Sequence, residues 1–121
     1  MSESEDWSSG GRVVSAARPS ASHVVAFDRR ELDAILRMYS RRVAEGAWRD
    51  YALDHLADRA VFSIFRRASE MPIYRVEKIP ALTRKQGAYQ VVAASGLILR
   101  RGHALAAVLK VLEKPKLSLV M

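Results

Sequence analysis

The fold of this chain is decided by one stretch, residues 87–112, with the sequence GAYQVVAASGLILRRGHALAAVLKVL. It begins with two short apolar runs on either side of the turn dipeptide Ser95-Gly96, and this pattern predicts a β-hairpin. A basic segment, residues 100–103, ends the second run. From Leu105 onward, apolar residues recur at i, i+3, i+4 and i+7, which predicts a helix with one apolar face. Both apolar surfaces are buried when that helix folds back on the hairpin.

The clearest helix start lies upstream of this stretch, at Asp28. Asp28 and Glu31 have the spacing of a capping box, in which each side chain accepts a hydrogen bond from the other's backbone N–H. Phe27 and Leu32 are placed for a hydrophobic staple across this cap. The apolar spacing continues to Gly46, a residue that commonly ends helices. The sequence therefore predicts a first helix over about residues 28–45.

Three further strands are predicted between the first helix and the hairpin: Trp48–Leu56, Ala60–Arg67 and Met71–Ile79. They are short, rich in β-forming residues and separated by turn residues. The predicted order is α-β-β-β-β-β-α. The predicted fold class is α+β, a two-layer sandwich in which an antiparallel sheet of four to five strands carries both helices on one face.

Composition and charge narrow the class of protein. The 121 residues are enough for one domain with a modest core. The chain contains no cysteine, which excludes disulfides and thiolate chemistry. The net charge is +7, and the excess is concentrated in residues 59–121. This distribution indicates either an anionic partner, with nucleic acid first, or simply a well-solvated basic surface.

The two ends of the chain lack a periodic apolar pattern. We predict a disordered tail over residues 1–23, a single α+β domain over residues 24–114 and a C-terminal tail over residues 115–121. The N-terminus is acidic and polar, unlike a secretory signal, and no apolar run is long enough to span a bilayer. We therefore expect a cytoplasmic protein without a membrane partner.

Several long segments carry a resemblance to a known family. The runs WRDYALDHL, AVFSIFRRASEMPIYR, RKQGAY and LILRRGH lie within residues 27 to about 113. This region resembles a family of small alphaproteobacterial proteins, domain of unknown function 2794. The resemblance implies a cytoplasmic bacterial protein. It implies no activity, ligand or catalytic residue.

The sequence gives no argument for an enzyme. It contains no glycine-rich phosphate loop, no nucleophile elbow and no zinc motif, so we expect no cofactor, metal or catalytic residue. Asp54, His55 and Asp58 lie close together and are either a base with its orienting groups or ordinary turn and surface residues. Strand alternation would place Asp54 and His55 on opposite faces, which favours the second interpretation.

Basic residues of the predicted sheet are the candidates for anion or nucleic-acid binding. The second helix starts without a side-chain cap, so a phosphate or carboxylate at residues 100–103 would satisfy its first N–H groups; the alternative is that water caps them and the arginines point away. The candidate residues are Arg100, Arg101, Gly102, His103, Arg66, Arg67, Arg75, Arg84 and Lys85.

Aromatic residues on the predicted strands lie near these cations. Phe62, Phe65, Tyr74 and Tyr89 either belong to the core or form a stacking platform for bases. The strand Ala60–Arg67 is apolar on both faces, so Val61 and Phe65 predict a homodimer interface on the sheet face away from the helices. Three functions stay open: a binding protein for RNA or DNA, a dimeric protein-interaction or regulatory module, and a small-anion binder or enzyme.

Overall fold

A computed structural model describes residues 23–67 and 71–113 of the chain. The helices are α1 (Arg29–Ala44) and α2 (Leu105–Glu113), with a short 3-10 helix at Pro80–Leu82. The strands are β1 (Asp50–His55), β2 (Ala60–Phe65), β3 (Tyr74–Lys78), β4 (Tyr89–Ala93) and β5 (Ile98–Gly102). The element order and the α+β class are those predicted from the sequence. Residues 1–22 and 114–121, which hold most of both predicted tails, lie outside the described residues.

The first helix begins with the predicted capping box. The Asp28 carboxylate accepts from the Glu31 backbone N–H at 2.8 Å, and the Glu31 carboxylate accepts from the Asp28 N–H at 2.8 Å. Both donors would otherwise have no partner within the helix. The helix ends where Gly46 adopts a φ of +81°, a conformation that glycine takes without a steric cost.

The five strands form one antiparallel sheet in the order β1-β2-β3-β4-β5, so each strand pairs with its neighbour in the chain. The predicted turn at Gly96, with a φ of +95°, connects β4 and β5. β5 continues through Gly102, whereas the sequence placed a strand end before Arg100. It continues because the backbone of residues 100–102 pairs with residues 89–91 of β4.

The core lies between the sheet and the two helices. The inner face of the sheet contributes fully buried residues such as Phe62, Ile64 and Val76, and α1 contributes Ile35 and Met38. The predicted apolar face of α2 completes this core through its buried residues Leu105, Val108, Leu109 and Leu112. Burial of these side chains is the main favourable term in folding.

The outer face of the sheet, opposite the helices, carries a mixture of polar and apolar side chains. A row crosses all five strands, because register places these residues opposite one another in turn: Asp54, Val61, Glu77, Gln90 and Arg101. Three members of this row, Val61, Glu77 and Gln90, are buried. The outer face is therefore organised around a polar network, described below.

Candidate functional site

Two segments that are distant in the chain meet at the end of β5. Gly87 has a φ of +101°, and a Cβ atom there would lie 2.6 Å from the His103 nitrogen and closer still to the Gly102 carbonyl. Such separations do not occur in real structures. Position 87 therefore requires glycine both because its φ is positive and because a Cβ atom would collide with the backbone of β5. The loop of residues 83–87 thus lies directly against the end of β5.

Side-chain hydrogen bonds join the same two segments. The Arg101 guanidinium donates to the Gln86 side-chain oxygen through Nη1. It also donates to Gln90 Oε1 through Nε at 3.0 Å and Nη2 at 2.7 Å. These acceptors are neutral amides, so they orient the guanidinium without cancelling its charge.

The two joined segments carry four cations, which we name the basic corner: Arg84, Lys85, Arg100 and Arg101. Arg101 pairs with Gln90 and Arg100 pairs with Val91, so strand alternation directs these two side chains to opposite faces of the edge strand β5. Arg84, Lys85 and Arg100 are exposed. Residues 83–87 and 98–103 contain no acidic residue. Guanidinium and ammonium groups gathered without carboxylates favour an anionic partner, since phosphate supplies the missing acceptors.

The nearest acid in this network is Glu77, and it is already engaged. Glu77 is 4% exposed. Its carboxylate accepts from Arg59 Nη1 at 3.0 Å, from Arg75 Nε at 3.2 Å and from Gln90 Nε2 at 2.7 Å. Two arginines therefore share this one negative charge, and Gln90 separates it from Arg101.

Apart from Glu77, the acidic side chains on the strands of the outer face lie at the other edge of the sheet. Asp50 and Asp54 belong to β1, and Asp58 follows in the β1–β2 turn, where it pairs with Arg59 at 3.3 Å. Positive charge therefore increases across the outer face from β1 towards β5. The basic corner lies at the positive end of this gradient.

The structure separates the residues that the sequence grouped as one anion site. Arg101 projects from the outer face, where it contacts Gln90, whereas α2 packs on the inner face. His103 lies on the helix side and lines a cleft of about 360 Å³ with Asp28, Arg30, Glu31 and other residues. The uncapped start of α2 and the Arg101 guanidinium therefore belong to different surfaces.

The remaining predicted cations lie apart from the basic corner. Arg66 and Arg67 follow β2 at the opposite end of the sheet, because Phe65 pairs with Asp50 and β5 ends beside Tyr89. Arg75 lies near the centre, opposite Ser63 and Val92. Of the predicted anion-binding residues, Arg84 and Lys85 thus lie in the loop that contacts the end of β5, the strand that carries Arg100 and Arg101.

The strand aromatics belong mostly to the inner face. Phe62 is fully buried and stacks on Tyr51, with 4.8 Å between ring centroids. Tyr74 meets the buried Trp48 edge-on. Phe65 faces outward and is half-buried, opposite Asp50. The described aromatics therefore do not form a base-stacking platform on the outer face.

Tyr89 takes part in a cluster beneath the helices. Its hydroxyl donates to Glu31 Oε2, and Lys78 Nζ donates to Glu31 Oε1 at 2.8 Å and to the Ala26 carbonyl at 3.0 Å. Burial, the hydrogen bond to Glu31 and the charge of that carboxylate together raise the pKa of Tyr89 well above its ordinary value. The cluster ties α1 to β3 and β4.

The residues that the sequence suggested for a dimer interface or for catalysis do not come together in a site. Val61 is buried within the protomer, and Phe65 is half-buried. Asp54 lies opposite Val61 and His55 lies opposite Ala60, so strand alternation directs them to opposite faces, as the sequence predicted. Within residues 23–67 and 71–113, no group of three or more His, Asp or Glu residues is placed to hold a metal ion.

Sequence reasoning missed the amides that orient Arg101. Gln90 alternates with Tyr89 along β4 and could have been assigned to the outer face by strand periodicity. Gln86 gave no such signal, because its position depends on how the loop packs against β5. Glu77 alternates in the same way with Val76 along β3, and the structure places it on the face of Arg75.

Comparison with known proteins identifies a family. Residues 25–109 match the model of a family described as protein of unknown function (DUF2794). This match confirms the resemblance found in the sequence. No curated protein and no solved structure matches the chain. Among the described residues, no helix has the length and apolar character needed to cross a membrane.

Proposed function

We propose that this chain, which belongs to the DUF2794 family of proteins of unknown function, is a non-enzymatic nucleic-acid-binding protein. The basic corner contacts the phosphate backbone of RNA or DNA. One observation carries the proposal: two distant segments, which together hold four cations and no carboxylate, are joined at the end of β5 by the Arg101–Gln86 hydrogen bond. Backbone contacts of this kind give affinity without reading a base sequence.

The way Arg101 is held supports the proposal. Two glutamine oxygens fix its guanidinium, so little side-chain freedom remains to be lost on binding. Three of its five N–H donors are used in these contacts, and the others can reach a phosphate oxygen. A fixed fork of donors suits the geometry of phosphate.

The position of the aromatics indicates how the nucleic acid is recognised. Phe62, Tyr74 and Tyr89 are committed to the inner face. Base stacking by these rings, which single-strand binders use, is therefore not part of the proposed mechanism. Affinity arises from charge, and binding consequently weakens steeply as salt is added.

The test compares two triple variants with the same loss of charge. The corner variant carries Arg84→Gln, Lys85→Gln and Arg100→Gln, all at exposed positions. The control variant carries Arg29→Gln, Arg30→Gln and Arg37→Gln on exposed positions of α1, which line a shallow depression with Asp33. Fluorescence anisotropy with RNA and DNA oligonucleotides, at several salt concentrations, measures the affinity of both variants.

We expect the wild type and the α1 variant to bind, and the corner variant to lose most of its affinity. Each lost phosphate contact lowers the slope of log K against log salt by roughly 0.9 for duplex DNA. If both triple variants lose the same affinity, binding depends on net charge alone and not on the basic corner. A wild type that binds no oligonucleotide even at low salt would refute the proposed function.

A further inference from the structure

The two edge strands of the sheet differ in how well they are protected against pairing with another chain. The β5 edge is irregular, with a bulge where its register against Val91 and Val92 shifts, and it carries Arg100 and Arg101. Bulges and basic residues are devices that prevent edge strands from pairing with other chains. β1 pairs with β2 in regular register over all six residues, Asp50 to His55, without a bulge or a proline.

The β1 edge also exposes apolar side chains. All six residues of β1 are exposed. Tyr51 is 44% exposed and Leu53 36%, and Leu56 and Val24 beside them are similarly accessible. Val25 donates to the Leu56 carbonyl at 2.8 Å, so residue 24 lies next to this edge. A regular edge strand with exposed apolar residues is a typical site for strand addition.

The backbone of β1 shows which groups point outward. Leu56 donates to the Arg59 carbonyl at 2.8 Å, so the even-numbered residues of β1 form the hydrogen-bonded pairs with β2. The N–H and C=O groups of Tyr51, Leu53 and His55 therefore face the free edge. Consistent with this direction, the Tyr51 N–H is satisfied by the Asp50 carboxylate at 2.8 Å instead of by β2. No strand of the described residues pairs with this edge.

We propose that the chain forms a homodimer in which the β1 edges of two copies pair antiparallel about a two-fold axis. The axis passes between Leu53 and Leu53 of the partner subunit. Tyr51 then lies opposite His55 of the partner subunit, and Ala52 lies opposite Asp54 of the partner subunit. The outward N–H and C=O groups of the three odd-numbered residues form six hydrogen bonds between the subunits. Two of the six require the Tyr51 N–H to exchange the Asp50 carboxylate for a carbonyl of the partner subunit.

Charge selects this register over its neighbour. Moving the axis to Ala52 keeps the correct hydrogen-bonding pattern but sets Asp50 opposite Asp54 of the partner subunit, twice in the dimer. Like charges directly opposite one another destabilise an antiparallel pair. That register also forms fewer hydrogen bonds between the outward groups. In the register about Leu53, no two acidic residues of β1 lie directly opposite each other.

We choose a second copy of this chain as the partner because this register sets Leu53 against Leu53 of the partner subunit with no like charges directly opposite, and an isologous interface uses the same patch on both subunits. The dimer contains one continuous sheet of ten strands, and both outer faces lie on the same side. The interface differs from the one that the sequence predicted, since Val61 is buried within each protomer. It does not depend on the proposed nucleic-acid function.

Single cysteines test both the contact and its register, because the chain has no cysteine of its own. Directly opposite residues of a hydrogen-bonded pair have Cα atoms about 5.5 Å apart, within the range of a disulfide. Leu53→Cys therefore forms a covalent dimer under mild oxidation, whereas Ala52→Cys and Asp54→Cys do so much more slowly. Equal or absent cross-linking of Leu53→Cys and Ala52→Cys, or preferential cross-linking of Ala52→Cys, would overturn the proposal.

Sedimentation of the full chain gives an independent test. The wild type sediments as a dimer at micromolar concentrations. Leu53→Lys places two ammonium groups opposite each other and weakens the dimer by roughly 100-fold or more. The matched control is Ile98→Lys, an equally exposed position on the opposite edge, and it leaves the dimer unchanged. A monomeric wild type, or equal effects of the two lysines in variants that unfold at the wild-type temperature, would refute the interface.

Discussion

Replacing Gly87 by alanine tests the contact that assembles the basic corner. A Cβ atom at this position meets the backbone of Gly102 and His103, which has no flexible side-chain end to move aside. The positive φ costs an L-residue about 1–2 kcal/mol. Overpacking against fixed atoms adds roughly 1–3 kcal/mol. We therefore expect Gly87→Ala to lower the free energy of unfolding by about 2–5 kcal/mol.

Gly96→Ala is the matched control for this substitution. Gly96 has a similar φ of +95°, but no heavy atom lies within 4 Å of its added Cβ position. Only the cost of the positive φ remains, so the free energy of unfolding should fall by about 1–2 kcal/mol. The comparison isolates the steric contact from the cost of the backbone conformation.

Thermal unfolding followed by circular dichroism measures both variants. A loss of 1 kcal/mol lowers Tm by about 4–8 °C in a domain of this size, so Gly87→Ala should unfold at least about 8 °C below the wild type. Gly96→Ala should fall by clearly less. If the two variants unfold at the same temperature, the loop of residues 83–87 does not press against β5, and the basic corner loses its structural basis.

Two further predictions concern the links between α1 and the sheet. Tyr89→Phe removes the hydrogen bond to Glu31 and should lower the free energy of unfolding by about 1 kcal/mol at neutral pH. The raised pKa of Tyr89 means that its neutral form is favoured in the folded state; this stabilisation is fully present below pH of about 10 and is lost as the pH rises further. Urea unfolding between about pH 8 and 11 should therefore show a shallower alkaline decline for Tyr89→Phe, and parallel curves would contradict the assignment. Asp28→Ala should cost about 1 kcal/mol through loss of the helix cap, whereas Asp33→Ala, also on α1, should cost much less, and equal effects in urea unfolding would argue against the capping role.

Local sequence signals predicted the parts of the fold that depend on neighbouring residues. Asp28 and Glu31 cap α1 because both partners lie within one helical turn. Ser95-Gly96 predicted the last hairpin, since a turn is determined by the residues within it. The spacing of apolar residues from Leu105 onward likewise predicted the buried face of α2.

Features that depend on pairing between distant residues were not predictable in the same way. The charged segment at residues 100–102 has the composition of a loop, yet it is a strand because β4 supplies its hydrogen bonds. The contact between Gly87 and Gly102 joins positions that no local pattern connects. The basic corner exists only through these two long-range relations, so the sequence identified its cations but not their grouping.

The mixed polar and apolar sequence of β1 has a structural cause. The run from Asp50 to His55 mixes polar and apolar residues because an edge strand is accessible to water on both faces and along its free side. Periodicity that reports one buried face is weak in such a strand. The same exposure that weakens this periodicity makes β1 the surface proposed for assembly.

The sequential strand order of the sheet has a consequence for the folding rate. Each strand pairs with the strand next to it in the chain, so every ladder can form by closing a short loop. Rates of two-state folding rise as contacts become more local, because less loop entropy is lost before the first favourable contacts form. The sheet can extend hairpin by hairpin, whereas the ion pair between Lys78 and Glu31 spans 47 positions and requires α1 to dock. The closing of that long loop, rather than strand pairing, is then the step with the largest entropic barrier.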